Sequence, residues 1–240
     1  MKTIFLGNYW QSNCKNKEPI EWLVLKEDDE KMYIISKYCL DCVPYSDGHK
    51  TVWKNSLMRK WLNNYFLNEA FSFKEQDRIV LTDIKTQAGG WVGPMLDCGT
   101  PVQDKVFLPS IAEAILYFGS TEWHDIVAEQ KRIARPTLYA YEHCCWISRL
   151  EYSPLSADAV KYVYNNAFDS NNSYWHFAEN FFAKKEPLEE DTPQNRWSSS
   201  WYLRSPGNGI VCVEGDGTIN SDYSKNFERT TIRPAMWIKK

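Results

Sequence analysis

Two kinds of hydrophobic spacing divide this chain, and their order restricts what it can fold into. Near the start, Ile20-Glu21-Trp22-Leu23-Val24-Leu25 and Lys31-Met32-Tyr33-Ile34-Ile35-Ser36 read as strands. They flank the charged turn Lys26-Glu27-Asp28-Asp29-Glu30, which predicts a hairpin. From Asn55 the period changes. Leu57, Trp61, Leu62, Tyr65 and Phe66 recur at helical spacing, with Asn55 or Ser56 as the cap. Ser72 with Glu75, and Ser110 with Glu113, have capping-box spacing, so helices are expected to start there. The carboxy-terminal end returns to short strands at Trp201-Tyr202-Leu203-Arg204, Ile210-Val211-Cys212-Val213 and Ile232 to Ile238. Strand-rich ends around a helical middle predict an α+β domain whose termini share a sheet.

The segments between are turn-rich. Ala88-Gly89-Gly90-Trp91-Val92-Gly93-Pro94 and Cys98-Gly99-Thr100-Pro101 read as irregular loops. Helices are expected over 156–168 and 173–183, separated by Asp169-Ser170-Asn171-Asn172 and followed by the acidic loop Glu189-Glu190-Asp191-Thr192-Pro193. Asp216-Gly217 is expected at a hairpin tip, where glycine tolerates positive φ. The nearby acidic residues fit a calcium loop poorly, because Ile219 occupies the position that needs a sharp-turn glycine.

Charge narrows the partners. A net charge of −3 gives no electrostatic reason to expect nucleic acid or an anionic membrane. No apolar run is long enough for a signal peptide or a spanning helix, so a cytoplasmic protein without membrane insertion is expected, with carriage on a virion or non-classical export as alternatives. The seven cysteines are an odd number and fit reduced thiols. Aromatic residues make up 15% of the chain, which suits both a core and a binding face.

Catalytic signatures are missing from the sequence: no Gly-x-Ser-x-Gly elbow, no phosphate loop and no His-Glu-x-x-His helix. Cys39-Leu40-Asp41-Cys42 is a Cys-x-x-Cys pair that could take a metal with His49 or with His143-Cys144-Cys145. Buried hydrophobic cysteines are the favoured reading, and no metal or cofactor is expected. Asp104 and Glu113 are expected as caps and ion-pair partners.

Four stretches carry a family resemblance. They are Val52 to Asn63 (with Trp53, Asn55, Arg59 and Trp61), Asp104 to Glu113, Arg135-Pro136-Thr137-Leu138-Tyr139-Ala140, and Trp201-Tyr202-Leu203-Arg204-Ser205-Pro206-Gly207 leading to Ile232-Arg233-Pro234-Ala235-Met236-Trp237-Ile238. Together they resemble an uncharacterised bacterial and phage domain family whose carboxy-terminal half reads WWLRSPG…VRPA. That family is similar to the C-type lectin-like fold of the formylglycine-generating-enzyme type. The resemblance implies short twisted antiparallel sheets, flanking helices, and termini paired with each other in one sheet.

The strand-rich ends predict a single domain, 1–240, and the stretch between Ala140 and Trp201 departs from the family's shorter connection, so a helical insertion is expected at about 141–195. Some relatives are variable proteins of diversity-generating retroelements, in which the matching window, here 197–229, forms a ligand-binding face. The candidate binding residues implied are Trp197, Trp201, Tyr202, Asn208, Asn220, Ser221, Asp222, Tyr223, Asn226 and Phe227. Arg204 and Arg233 are expected to be structural ties. The oxidase relatives bind copper through a carboxy-terminal cysteine pair, but only Cys212 lies in that region here, so that activity is not expected. The expected function is a non-enzymatic ligand-binding or display module for a protein or glycan. The alternatives are a docking component of a phage or bacterial assembly, or a thiol or metal enzyme using Cys39 and Cys42 or Cys144-Cys145.

Overall fold

The first forty residues of strand pattern build one face of a sheet. In the computed structural model, which describes residues 1–46, 51–86, 98–119, 130–142, 148–149, 197–207, 209–215, 217–223 and 230–240, they form β1 (Thr3–Trp10), β2 (Lys17–Glu27) and β3 (Lys31–Ser36). Strands β2 and β3 make the expected hairpin, with the Asp28 carboxylate accepting from the amides of Glu30 and Lys31 at the turn. A two-residue strand, β4 (Asp41–Cys42), follows.

Helical periodicity then takes over, in pieces. Ser56 caps α1 (Leu57–Trp61) by accepting from the Arg59 amide; a π-helical turn over Leu62–Phe66 leads into α2 (Leu67–Ala70). Both capping boxes form, Ser72 with Glu75 opening α3 (Phe73–Arg78) and Ser110 with Glu113 opening α4 (Ile111–Phe118). Between them, β5 (Thr82–Ile84) pairs with β6 (Val102–Asp104). The short α5 (Leu138–Glu142) follows, its Ala140 amide bonded to the Thr137 hydroxyl. Strands β7 (Ser148–Arg149) and β8 (Trp197–Ser198) pair as a two-residue ladder. The chain ends in β9 (Trp201–Tyr202), β10 (Ile210–Val213), β11 (Ile219–Tyr223), β12 (Thr231–Ile232) and β13 (Ala235–Lys239).

This is an α+β fold with short antiparallel sheets and a curled half-barrel. The larger sheets run β1-β2-β3-β13 and β11-β10-β9-β12-β4. The first and last strands share the four-stranded sheet, as expected, but lie at its opposite edges and do not pair with each other. The expected final strand is two strands in two sheets. Pro234 has no amide to give a ladder, and at Arg233-Pro234 the chain leaves the five-stranded sheet for the four-stranded one. Among the described residues of the five-stranded sheet, β9 and β12 are parallel neighbours and the other pairings are antiparallel.

Contacts within the chain define two compact units, Met1–Ser148 with Ser198–Lys240, and Arg149–Trp197. The expected helices over 156–168 and 173–183, the 88–94 loop, the 189–193 loop and the four histidines lie outside the described residues. Among the described residues, no helix is long and apolar enough to cross a membrane.

In the first unit the core is aromatic. Trp22, Trp53, Trp201, Tyr9, Tyr33, Tyr202, Phe66, Phe107 and Phe118 are all at most 2% exposed. Burial of each such ring removes roughly 150–250 Å² from water, so these positions dominate the apolar contribution to stability. The indole amides are satisfied as they enter: Trp22 Nε1 donates to the Leu6 carbonyl at 2.8 Å and Trp201 Nε1 to the Arg132 carbonyl at 3.0 Å.

Gly7 fixes a β1 irregularity against the helices. Its φ is +70°, and a Cβ there would lie 2.6 Å from the Phe71 ring and 2.7 Å from the Ala70 carbonyl oxygen. Its amide donates to Glu75 Oε1 at 2.9 Å. Burial opposes ionisation of Glu75, but bonds from Ser72 and Gly7 outweigh it and hold the pKa below the ordinary carboxylate value. Gly7→Ala is therefore expected to destabilise the protein by about 2–4 kcal/mol in urea denaturation, through strain and overlap together. Glu75's stabilisation is fully present above its unfolded pKa of about 4.3 and is lost as pH falls through its lower folded value. The stability difference between wild type and Glu75→Gln is thus expected to hold from pH 7 to 5 and to shrink in more acidic buffer.

Candidate functional site

The motif residues converge first on one segment, Asp104 to Glu113. On one side Trp53 Nε1 donates to Asp104 Oδ2 at 2.9 Å, and Arg59 Nε donates to Oδ1 at 2.8 Å. Asn63 completes that side: its Oδ1 accepts from the Lys105 and Val106 amides, and its Nδ2 donates to the Val106 carbonyl. Burial raises the Asp104 pKa, against the opposing bonds from Trp53 and Arg59. A buried carboxylate with two such partners is a structural node, as the sequence suggests.

On the other side stands Arg204. Its Nη1 donates to the Leu108 carbonyl and to Glu113 Oε2, both at 2.5 Å, and the same Glu113 oxygen accepts from the Ser110 amide and hydroxyl. Ser205 Oγ accepts from the Ile111 amide at 2.9 Å, satisfying another orphan donor of α4. The Arg-Ser pair of this motif is therefore spent on capping and fastening one helix.

Arg233 fastens the sheets. Chain segments 37–40 and 233–234 carry the polypeptide between the two large sheets, and they run side by side. Ser36 N donates to the Pro234 carbonyl, Leu40 N to the Ile232 carbonyl, and Arg233 Nε to the Ser36 carbonyl, each at 2.9 Å. The guanidinium sits 4.9 Å from the Phe118 ring centre and 5.1 Å from that of Trp201, a desolvated cation–π site. Burial pushes its pKa down to about 10.

The candidate ligand-binding window falls on β8 to β11. Trp201 and Tyr202 are buried at 0% and 1% exposure and belong to the core, so neither ring is a surface platform. Their burial follows from the sheet they sit in: β9 lies between β10 and β12, with Trp201 packed edge-on to Phe118. Trp197, Ser221, Asp222 and Tyr223 are placed as strand backbone. Asn208, Asn226 and Phe227 lie outside the described residues, as does Asp216.

Around the β10–β11 turn the expected hairpin forms. Glu214 N donates to the Thr218 carbonyl at 2.7 Å, and Gly217, at φ +89°, returns its amide to the Glu214 carbonyl at 2.9 Å. From below, Arg132 Nη1 holds the Gly217 carbonyl at 3.2 Å, while Gly119 gives that guanidinium room. The Glu214 side chain gathers the half-buried polar face: Ser200 Oγ donates to Oε2 at 2.8 Å and Asn220 Nδ2 to Oε1 at 3.1 Å. Burial, then the Glu214 carboxylate, pushes the Cys212 thiol well above its ordinary pKa, keeping it protonated at neutral pH.

Glu214 and Ser200 are absent from the sequence-based candidates. Pairing of Cys212 opposite both Tyr202 and Asn220 is what brings them together, and that register is invisible in one dimension. Of the Cys-x-x-Cys pair, Cys39 is buried and Cys42 points its thiol at the Ala140 carbonyl, 3.6 Å away. Cys144 and Cys145 lie outside the described residues. Among the described residues, no three His, Cys, Asp or Glu side chains gather as a metal site would require.

An α+β scaffold with a half-buried polar hairpin at one sheet edge is the class of protein that fold and site define. The chain belongs to the family DUF6273, a domain of unknown function, whose profile matches residues 29–178. That span holds the Trp53, Asp104 and Arg135 motifs and stops before Arg204 and Arg233. No curated protein and no solved structure matches the chain.

Breaking the Arg204–Glu113 pair from the buried side should be costly. Arg204→Met leaves the Leu108 carbonyl and the capping carboxylate without their cation, and a loss of about 3 kcal/mol is expected by chemical denaturation. Lys240→Met, at an exposed ion pair with Glu27, is expected to leave stability unchanged in the same measurement.

Proposed function

We propose that this chain is a non-enzymatic binding module of C-type lectin-like type, presenting its 197–229 window to a protein or glycan. A variable protein of a diversity-generating retroelement is the particular form this reading takes. The observation that supports it best is the division of labour in the window. Its inward residues Trp201, Tyr202, Val211 and Val213 are locked in the core, while Glu214, Thr218 and Asn220 meet solvent at the edge hairpin. Binding residues on loops held by a rigid scaffold fit that arrangement. The motif arginines are engaged in holding the fold, which leaves sequence variation free to act at the hairpin.

A second reading, a docking part of a larger assembly, is favoured by one fact: residues 149–197 form a compact unit of their own. Light scattering and pull-down with the full chain separate the two, since a strict monomer without partners counts against docking.

Protein and glycan arrays probed with the full chain are expected to return a ligand binding tighter than about 10 μM. The double variant Thr218→Ala/Asn220→Ala is expected to abolish that binding and to leave the melting temperature within a few degrees. Arrays without signal at that concentration contradict the display reading.

A further inference from the structure

Strand β1 forms one edge of the four-stranded sheet. The opposite edge, β13, is covered: Ile238 bridges Ile79, Ala235 bridges Phe107, and the Val80 amide donates to the Trp237 carbonyl at 2.8 Å. Two hydrogen bonds set the phase of β1. The Val24 amide donates to the Lys2 carbonyl and the Lys37 amide to the Glu21 carbonyl, each at 2.9 Å. Thr3 stands opposite Leu23, Ile4 opposite Trp22 and Phe5 opposite Glu21. Bonded and non-bonded pairs alternate along an antiparallel ladder, so Lys2 and Ile4 turn their backbone groups toward β2. Thr3 and Phe5 turn theirs outward.

Exposed edges are ordinarily blunted by lysine, proline, an inward charge or a bulge. Thr3–Trp10 contains no charged residue and no proline. At Gly7 the strand is irregular and its amide is taken by Glu75, which ends the open stretch there. Before Gly7, Thr3 and Phe5 are both solvent-exposed. Exposed apolar side chains collect at the same place. Met1 is 71% exposed and Phe5 67%, and Phe73, at 87%, begins the helix whose Glu75 holds the Gly7 amide.

We infer that this edge is a homodimer interface, in which β1 pairs antiparallel with β1 of a second copy about a two-fold axis at Ile4. In that register Thr3 stands opposite Phe5 of the other copy, and each amide of the two donates to the carbonyl of its opposite. The outward groups of both residues are satisfied together, and the two sheets become one. The side chains agree with the pairing. Thr3 and Phe5 share a face and meet across the axis as an aromatic with a β-branched residue, a favourable cross-strand combination, while half-buried Ile4 meets its own copy on the other face. Charge permits self-pairing as well. The nearest charge is Lys2, whose ammonium is paired with Glu27 of its own chain at 3.0 Å. Lys2 falls opposite Leu6, so the two lysines stand roughly 14 Å apart along the strands, beyond the screening length of physiological salt. An isologous contact needs no separately matched partner, since each copy supplies the same strand. This interface does not depend on the 197–229 window.

The test is sedimentation of the untagged full chain from about 5 to 500 μM. The mass is expected to rise from 28.1 kDa toward twice that value, with a Kd of about 100 μM or tighter. Amide exchange at the two ends of that range reads the register. Thr3 and Phe5 are expected to slow about threefold or more at the high concentration, while Ile4, turned to β2, keeps its rate. Thr3→Pro removes an outward amide at the first residue of a strand, where proline is tolerated. Phe5→Lys sets like charges beside the axis. Each is expected to weaken dimerisation about tenfold or more with the melting temperature within a few degrees, and Thr218→Ala/Asn220→Ala to leave it unaltered. A chain that stays monomeric throughout the range overturns the proposal. A dimer that survives both β1 variants, or that slows Ile4 and leaves Thr3 and Phe5 unprotected, overturns it too.

Discussion

The fold depends on what happens at one oxygen, Oε2 of Glu113. It accepts from the amide and hydroxyl of Ser110, closing the capping box of α4, and from the Arg204 guanidinium, which enters from β9's end of the chain. Arg204 also takes the Leu108 carbonyl, and its own amide takes that of Pro109. A helix start and a distant strand are thereby held by one charged node at the margin of the core. A charged pair in that position contributes less through Coulomb attraction than through the cost of breaking it, since the buried Arg204 left without Glu113 is a desolvated charge.

From that node the rest of the first unit follows in steps. Segment 104–113 is gripped on its other side by Trp53, Arg59 and Asn63, and exchanges backbone hydrogen bonds between Phe107 and Ala235 of β13. Strand β13 completes the four-stranded sheet, and two residues earlier Arg233 ties its crossover to that of 37–40. Each motif thus holds a neighbour that is remote in sequence. Such contacts carry a large loop-closure cost that only a cooperative set of buried partners offsets.

Local signals were legible in the sequence because local physics produces them. Ser72 with Glu75 and Ser110 with Glu113 cap helices wherever the chain takes them, and the β2–β3 hairpin needs only its own alternation and turn. What depends on register was not legible. One run from Ile232 to Ile238 reads as a single strand, yet Pro234 divides it between two sheets; Trp201 and Tyr202 stand among the candidate binding residues, yet β9 lies inside its sheet and both rings are buried. The open edge at Thr3 and Phe5 escaped for the same reason. Which amides face outward is set by pairing with β2, and neither spacing nor composition gives that.

The central claim is that segment 104–113 and its partners open only when the whole first unit unfolds. Native-state hydrogen exchange measures this directly at the amides of Phe107, Ile111, Arg204 and Ala235, whose acceptors are Ala235 O, Ser205 Oγ, Pro109 O and Phe107 O. The account predicts that all four exchange with one opening free energy, equal to that of global unfolding and falling with denaturant at the global slope. Exchange of Phe107 and Ile111 at a markedly lower free energy, with Ala235 still protected, would contradict it.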